Sequence, residues 1–213
     1  MRTFIDRSDA GRRLAEELAS RASGAYERGV ILGLPRGGVP VAAEVAHVLD
    51  APLDVLVVRK VGAPGQEELA LSAVGEEGAT ARNDDLIRAS GISSADLAAR
   101  EAVQREEVER RATLFRPGRA PVPMEGRTAI IVDDGIATGA TMRAACAIAR
   151  ARGAARVVVA VPVAAPDALE QLPDVDEVVC LHAPRTFMAV GMHYIDFRQT
   201  SDAEVIELLA QPR

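Results

Sequence analysis

Residues Ala129–Thr141 read AIIVDDGIATGAT, and this stretch decides how the rest of the chain is interpreted. Four apolar residues predict a buried strand, and two adjacent carboxylates, Asp133 and Asp134, follow directly at its end. The residues after them are small and include two glycines, and a helix is predicted over Thr141–Arg152. The segment is therefore predicted to be a strand, a tight turn and a helix.

The turn and the start of the helix predict an anion-binding site. Small residues at a helix N-terminus leave several backbone N–H groups pointing in one direction, and the helix dipole adds positive potential there. Thr138 and Thr141 contribute hydroxyl donors. Adjacent carboxylates suit another task, because they accept hydrogen bonds from vicinal hydroxyls such as ribose O2 and O3, near a bound divalent cation. The alternative is an ordinary Asx-rich turn; no lysine-containing phosphate loop and no GxGxxG motif lies here.

Apolar runs alternate with helical patterns along the whole chain. Strands are predicted at Val30–Leu34, Leu53–Val58, Ala129–Val132, Arg156–Val161 and Val175–Leu181. A first helix is predicted to start at a Ser8 cap, and a long helix at 94–114 is predicted to start at a Ser93/Asp96 capping box. Further helices are predicted at Val39–Leu49, Thr141–Arg152 and Asp202–Leu209. This order predicts an α/β fold with a doubly wound, mainly parallel sheet of about five strands. The loops after Leu34, Val58 and Val132 should then meet at one edge.

The other two loops at that edge carry basic residues. Arg36, Gly37 and Gly38 follow the first strand, where glycines allow the backbone to approach a ligand closely. Arg59 and Lys60 end the second predicted strand. Lys60 is the one lysine among 25 basic residues, which indicates a position that requires a compact ammonium group. The alternatives are a simple turn with a surface arginine and a charged strand end.

The segment AIIVDDGIATGAT resembles the signature of the type I phosphoribosyltransferases. The resemblance implies that Asp133 and Asp134 hold the ribose hydroxyls, next to Gly135. It implies that a cradle made of Ala137, Thr138, Gly139, Ala140 and Thr141 holds the 5-phosphate. It also implies that Arg36, Gly37, Gly38, Arg59 and Lys60 bind diphosphate, that the Arg36 loop contains a strained peptide, and that Mg²⁺ is held mainly by the ligand near the two aspartates.

The same resemblance predicts the function and its alternatives. The expected activity is transfer of a phosphoribosyl group from phosphoribosyl diphosphate to a small nitrogenous acceptor, with Asp133, Asp134, Lys60 and Arg36 as the catalytic residues. A regulatory protein that binds phosphoribosyl diphosphate without turnover is the alternative, and a nucleotide-binding hydrolase is a weaker one. Gly135 stands where the family usually has an aliphatic residue. Ala137 stands where the hypoxanthine/guanine enzymes carry an aspartate, which argues against a 6-oxopurine acceptor.

The C-terminal run CLHAPRTFMAVGMHYIDF resembles that of a bacterial phosphoribosyltransferase-like subgroup. Residues 1–213 are predicted to form one domain, with a flexible loop at 62–80 that closes over the site and a hood or tail segment at 182–213. Phe187 and Tyr194 are candidates for stacking on an acceptor, although core packing is the favoured interpretation. The histidines lack the spacing of a zinc site. Glu67, Glu68, Glu76 and Glu77 are interpreted as solvated loop residues.

Composition limits the class of protein and its partners. A net charge of −6 and a pI of about 5.2 argue against a nucleic-acid or membrane-surface binder. Cys146 and Cys180 lie in apolar stretches and are predicted to be reduced core residues of a cytoplasmic protein. A homodimer is expected from the resemblance alone.

Overall fold

The computed structural model describes residues 4–21, 26, 28–173 and 175–211, and for Glu67 and Glu68 only the backbone. The helices and strands are, in chain order, α1 (Arg7–Arg21), β1 (Val30–Gly33), α2 (Gly38–Val48), β2 (Leu53–Val55), β3 (Val58–Ala63), β4 (Gln66–Gly75), β5 (Thr80–Arg82), α3 (Asp84–Ser90), α4 (Ser94–Phe115), β6 (Thr128–Val132), α5 (Ala140–Ala151), β7 (Arg156–Val163), α6 (Pro166–Glu170), β8 (Glu177–His182) and α7 (Asp202–Ala210). Short 3₁₀ turns occupy Glu76–Gly78 and Val190–His193.

Five parallel strands form the central sheet in the order β2-β1-β6-β7-β8. The predicted α/β fold with a doubly wound, mainly parallel sheet of about five strands is confirmed. Strands β1, β6 and β7 are apolar along their length because helices cover both faces of the sheet. Successive residues therefore face opposite cores, as Ile130 packs with the cluster that includes α1, α2 and α7, and Ile131 with the cluster around α5.

Residues 58–82 form a second, antiparallel sheet in the order β3-β4-β5, which packs against α4 and α5. The predicted strand Leu53–Val58 is wrong in its second half, because the chain leaves the parallel sheet after Val55. The N–H of Leu56 still donates to Gly33 O, and that of Val57 already donates to the Glu76 carboxylate. Most of the segment predicted as a loop at 62–80 is thus β-structure, and its closing motion stays a prediction.

Two helix starts show where local signals succeed and fail. Ser93 caps α4 as predicted, since its Oγ accepts a hydrogen bond from the N–H of Asp96 at 3.1 Å. The predicted Ser8 cap of α1 is wrong. The side chain of Asp6 takes that position and accepts from the N–H of Asp9 at 2.8 Å.

In the sequence, the i,i+4 pairs Glu101–Arg105, Glu106–Arg110 and Glu107–Arg111 predict a solvated face on α4, but this face is only partly exposed. Glu101 is 1% exposed, because the antiparallel sheet covers it, and it binds the guanidinium of Arg82 through two hydrogen bonds of 2.7 and 2.9 Å. Arg110 pairs with Glu107 rather than with Glu106. The helix therefore joins the second sheet to the domain instead of standing free in solvent.

The C-terminal segment does not form a separate unit. Its last helix, α7, packs against α2, α4 and β2, with Val205 and Leu209 buried. Cys146 and Cys180 are both free, as predicted. In the part of the chain that the structure describes, no helix has the length and apolar character needed to cross a membrane.

A buried ion cluster fixes the junction between the two sheets. Arg116, at the end of α4, donates to the carboxylates of Asp54 and Glu76 and, at 2.7 Å, to the carbonyl of Val55. The three charged residues are 5%, 1% and 5% exposed, respectively. The interpretation of Glu76 as a solvated loop residue is therefore wrong. A buried guanidinium between two carboxylates is stable only as a complete set, because each charge has lost its hydration.

We expect Arg116→Met to destabilise the protein by about 3–5 kcal/mol, since two buried carboxylates lose their partner. Urea unfolding followed by circular dichroism measures this change. Arg88→Met is the matched control because Arg88 is 74% exposed in its pair with Asp85, and such surface changes stay within about 0.5 kcal/mol. Equal unfolding midpoints for the two variants would contradict the role assigned to the cluster.

Candidate active site

The first two predicted loops lie side by side because β1 and β6 are neighbouring parallel strands. Gly33 is paired with Val132 in the register, and the N–H of Leu34 donates to Val132 O at 2.9 Å. The chain beyond each strand therefore emerges at the same edge. The peptide between Pro35 and Arg36 is cis, which agrees with the unusual peptide implied by the family resemblance.

Gly37 and Gly38 pack directly against the two carboxylates. A Cβ atom on Gly37 would lie 2.1 Å from Asp134 Oδ2, and one on Gly38 would lie 2.8 Å from Asp133 Cα. Neither position can hold a side chain without moving the aspartates. The glycine pair, predicted to allow close approach to a ligand, is thus also needed for the close approach of the two loops.

Burial raises the pKa of both aspartates at this edge. Burial, and then the charge of Asp134, raise the pKa of Asp133 well above its usual range. Burial also raises the pKa of Asp134, but the guanidinium of Arg7 opposes this rise from 2.7 and 2.8 Å. The backbone carbonyl of Asp134 accepts a hydrogen bond from Tyr194 Oη at 2.6 Å.

Arg7 is a site residue that sequence reasoning missed. Its Nη1 donates to Arg198 O at 2.7 Å, and its guanidinium lies 4.0 Å from the ring centroid of Phe197. It thus joins the first helix and the C-terminal segment at Asp134. Arg7 lies 127 residues before Asp134, and no local pattern marks one of 24 arginines as its partner.

The predicted cradle is a turn whose N–H groups are available to a ligand. Ile136 is held by a hydrogen bond of its N–H to Val163 O at 2.9 Å, whereas the N–H groups of Ala137, Thr138 and Gly139 donate to no acceptor among the described residues. Gly139 has a φ of 73° and forms the N-cap of α5. The turn therefore presents donors at a helix N-terminus, which is the arrangement that binds phosphate.

Gly135 leaves room for the C-terminal segment. A Cβ atom there would lie 2.7 Å from a methyl group of Val190 and 2.9 Å from one of Val163. The departure from the family's usual aliphatic residue is thus matched by Val190, which occupies the adjoining space.

Arg59 and Lys60 reach the site from a different element than predicted. They belong to β3 of the antiparallel sheet and not to the end of β2. They nevertheless line a cavity of about 230 Å³ together with Pro35 and Thr141, so the three predicted loops do meet. Arg111 of α4 lines the same cavity and is absent from the predicted site, because its spacing from Glu107 is typical of a solvated pair.

Three other predicted site residues, Arg36, Phe187 and Tyr194, do not line this cavity. Arg36 is 3.5 Å from the carboxylate of Asp202. Tyr194 is 1% exposed between Phe4 and Phe197, so it packs in the core, which is the favoured of its two interpretations. Phe187 stacks on His193 with ring centroids 5.6 Å apart. Its role toward an acceptor stays a prediction.

The carboxylates fit a magnesium ion that is carried mainly by a ligand. Among the described residues, no group of three or more His, Cys, Asp or Glu side chains could hold a metal by itself. Mg²⁺ commonly relies on one or two carboxylates together with substrate phosphates and water. Asp133 and Asp134 supply that part of a donor set.

Comparisons with known proteins agree with this geometry. A family model described as a phosphoribosyl transferase domain matches residues 5–191. The crystal structure of TT1426 from Thermus thermophilus is 47% identical, covers 98% of both chains and superposes with a TM-score of 0.90.

Two Mycobacterium tuberculosis proteins, from strains CDC 1551 and H37Rv, are each named "putative phosphoribosyl transferase" and are 54% identical over 210 residues. The match covers 98% of this chain and 47% of each of those proteins, so the chain spans about half their length. The family match covers the strands, the cradle and the basic loops described above, and the chain belongs to the phosphoribosyl transferase domain family.

Proposed function

We propose that the protein is a Mg²⁺-dependent phosphoribosyltransferase that uses phosphoribosyl diphosphate and a small nitrogenous acceptor and releases diphosphate. The observation that carries this proposal is the meeting of three elements at one sheet edge: the cradle, the carboxylate pair, and the cavity lined by Arg59 and Lys60. Each element suits one part of the donor molecule.

The cradle suits the 5-phosphate, because the N–H groups of Ala137, Thr138 and Gly139 lie at a helix N-terminus and donate to no acceptor among the described residues. Asp133 and Asp134 suit the ribose O2 and O3 hydroxyls, which donate hydrogen bonds to carboxylate oxygens. Arg59 and Lys60 suit the diphosphate, because they line one cavity with Pro35, which forms the cis peptide with Arg36.

The reaction requires electrostatic stabilisation more than a nucleophilic side chain. The bond between C1 and the diphosphate oxygen breaks, its electron pair leaves with diphosphate, and the acceptor nitrogen forms the new bond to C1. Positive charge develops on the ribose ring, and negative charge on the leaving group. Arg36, Arg59, Lys60 and backbone N–H groups stabilise the leaving group, while binding holds the acceptor in line. Bound Mg²⁺ would neutralise part of the diphosphate charge.

The acceptor is proposed to be a nitrogenous compound other than a 6-oxopurine. Ala137 has no side-chain carboxylate, so it cannot assist at the purine as the aspartate of the hypoxanthine/guanine enzymes is thought to do. Because Ala137 is exposed and has no polar side chain, other groups would have to contact the acceptor next to the cradle.

Diphosphate release from phosphoribosyl diphosphate, Mg²⁺ and a panel of bases tests the proposal. We expect release that depends on one class of acceptor and on Mg²⁺. Saturable binding of phosphoribosyl diphosphate without release under any acceptor would overturn the transferase and favour a regulatory binding protein.

The carboxylate pair is expected to be essential for ribose binding. Asp133→Asn combined with Asp134→Asn should weaken phosphoribosyl diphosphate binding by roughly 100-fold or more, since two charge-assisted hydrogen bonds are lost. Calorimetric titration measures this, with unfolding curves to show near-normal stability. The matched control is Asp84→Asn with Asp85→Asn, an adjacent acidic pair that is exposed. Unchanged affinity in the first variant would refute the assignment.

The ionised carboxylate of Asp133 is also expected to lower the stability of the fold at neutral pH. Its folded-state pKa is raised, so the stability linked to its proton is present below the ordinary aspartate pKa and is lost as the pH rises through the raised value. Asp133→Asn should therefore stabilise the protein at pH 8 by about 0.5–2 kcal/mol and give little gain near pH 4. Thermal unfolding at both pH values measures the difference, and a loss of stability at pH 8 would contradict it.

Lys60→Arg tests the requirement for an ammonium group. The side chain is close to the cis peptide and Thr141 in a small cavity, so a planar guanidinium should fit it poorly. We expect kcat/KM to fall by about ten-fold or more while stability is unchanged. Full activity would make the single lysine of this chain an accident of composition.

A further inference from the structure

Arg111 is placed at the proposed diphosphate site by α4, a helix that carries none of the site residues predicted from the sequence. It lies near the end of α4, 51 residues after Lys60, and lines the same cavity of about 230 Å³ as Arg59, Lys60 and Thr141. The helix is fixed there by its packing on β3 and β4. A helix side chain held in this way is well positioned for binding, because little of its backbone freedom remains to be lost.

Glu107 holds two of these arginines on the wall of the cavity. Its Oε1 accepts from Arg111 Nε at 2.7 Å and lies 3.3 Å from Arg59 Nη2. The same carboxylate also binds Arg110 at 2.7 and 2.9 Å. Hydrogen bonds from Arg110 and Arg111 lower the pKa of Glu107 to about 2, so Glu107 is ionised at neutral pH.

Some nitrogen donors around Glu107 are left for a ligand. Glu107 accepts a hydrogen bond from one nitrogen of Arg59 and from one nitrogen of Arg111. Neither Nη nitrogen of Arg111 donates to an acceptor in the described parts of the chain. The two Nη nitrogens of Arg111 are therefore left to donate to an anion in the cavity.

The excess positive charge around Glu107 also favours the binding of an anion. Arg59, Arg110 and Arg111 bring three positive charges to the single carboxylate of Glu107, in a protein whose net charge is −6. A guanidinium group can donate two parallel hydrogen bonds to phosphate oxygens, and a single ammonium group cannot reproduce this geometry. Diphosphate offers such oxygens on two phosphorus centres.

We propose that Arg111 is a third side chain that binds the diphosphate group, together with Arg59 and Lys60, and that Glu107 positions it. This inference rests on the proposed function. Arg110 does not share this role, although it is the next residue and binds the same carboxylate. Its side chain is 62% exposed and does not line the cavity.

The difference between the two neighbours gives a matched experiment. Arg111→Gln and Arg110→Gln each remove one partner of Glu107, and only the first removes a donor from the cavity. Titration calorimetry with inorganic diphosphate and Mg²⁺ probes the diphosphate site, and ribose 5-phosphate probes the cradle and carboxylates. Thermal unfolding of both variants reports on the helix.

We expect Arg111→Gln to weaken diphosphate binding by about ten-fold or more, and to leave ribose 5-phosphate binding and unfolding unchanged. Arg110→Gln should bind both ligands as the unmodified protein does. Equal diphosphate affinity in Arg111→Gln and the unmodified protein would overturn the inference and leave the proposed function intact. Equal weakening in both variants would also overturn it, since the effect would then act through Glu107. No binding of either ligand by the unmodified protein would overturn the proposed function itself.

Discussion

The close approach of Gly37 and Gly38 to Asp133 and Asp134 is the constraint on which the rest of the site depends. Neighbouring parallel strands bring the two loops to one edge, but strand pairing alone leaves space for side chains. Here the backbone of one loop touches the carboxylates of the other, at distances that exclude a Cβ atom. This contact places the acids, the cis peptide and the cradle within reach of one ligand, because all three are rigidly attached to β1 and β6.

Electrostatics divide the site into two unequal parts. The acidic part is half-buried and held by Arg7, so the protein keeps two carboxylates together where their mutual repulsion and desolvation are unfavourable. The basic part is more exposed and contains an excess of arginine around Glu107. Functional sites often retain such unfavourable charge arrangements because the ligand relieves them. The buried cluster of Asp54, Glu76 and Arg116 differs, because its charges satisfy one another and it serves the fold.

Local sequence patterns predicted the structure well where one element carries a complete pattern. The apolar run at Ala129–Val132, the acids after it and the small residues of the cradle are contiguous, and so is the Ser93 cap. The same patterns failed where two distant segments meet. Leu56 and Val57 look like a continuing strand, yet buried partners on Glu76 and Arg116 redirect the chain. Glu101 has the spacing of a solvated pair, yet the antiparallel sheet covers it. Composition and periodicity report on one segment and do not show what packs on it.

The sequence by itself determined the α/β class, the strand that ends in Asp133 and Asp134, the glycine pair and the basic pair at Arg59 and Lys60. These features depend on residues that are adjacent in the chain, where backbone preferences and side-chain alternation act. Only the tertiary structure decided that Arg59 and Lys60 reach the site from a second sheet, and that Arg7 and Arg111 join it. Those contacts span many tens of residues, and a single arginine among 24 has no local signal for its partner. Packing of whole helices and sheets sets such pairs, so they emerge only when the chain is folded.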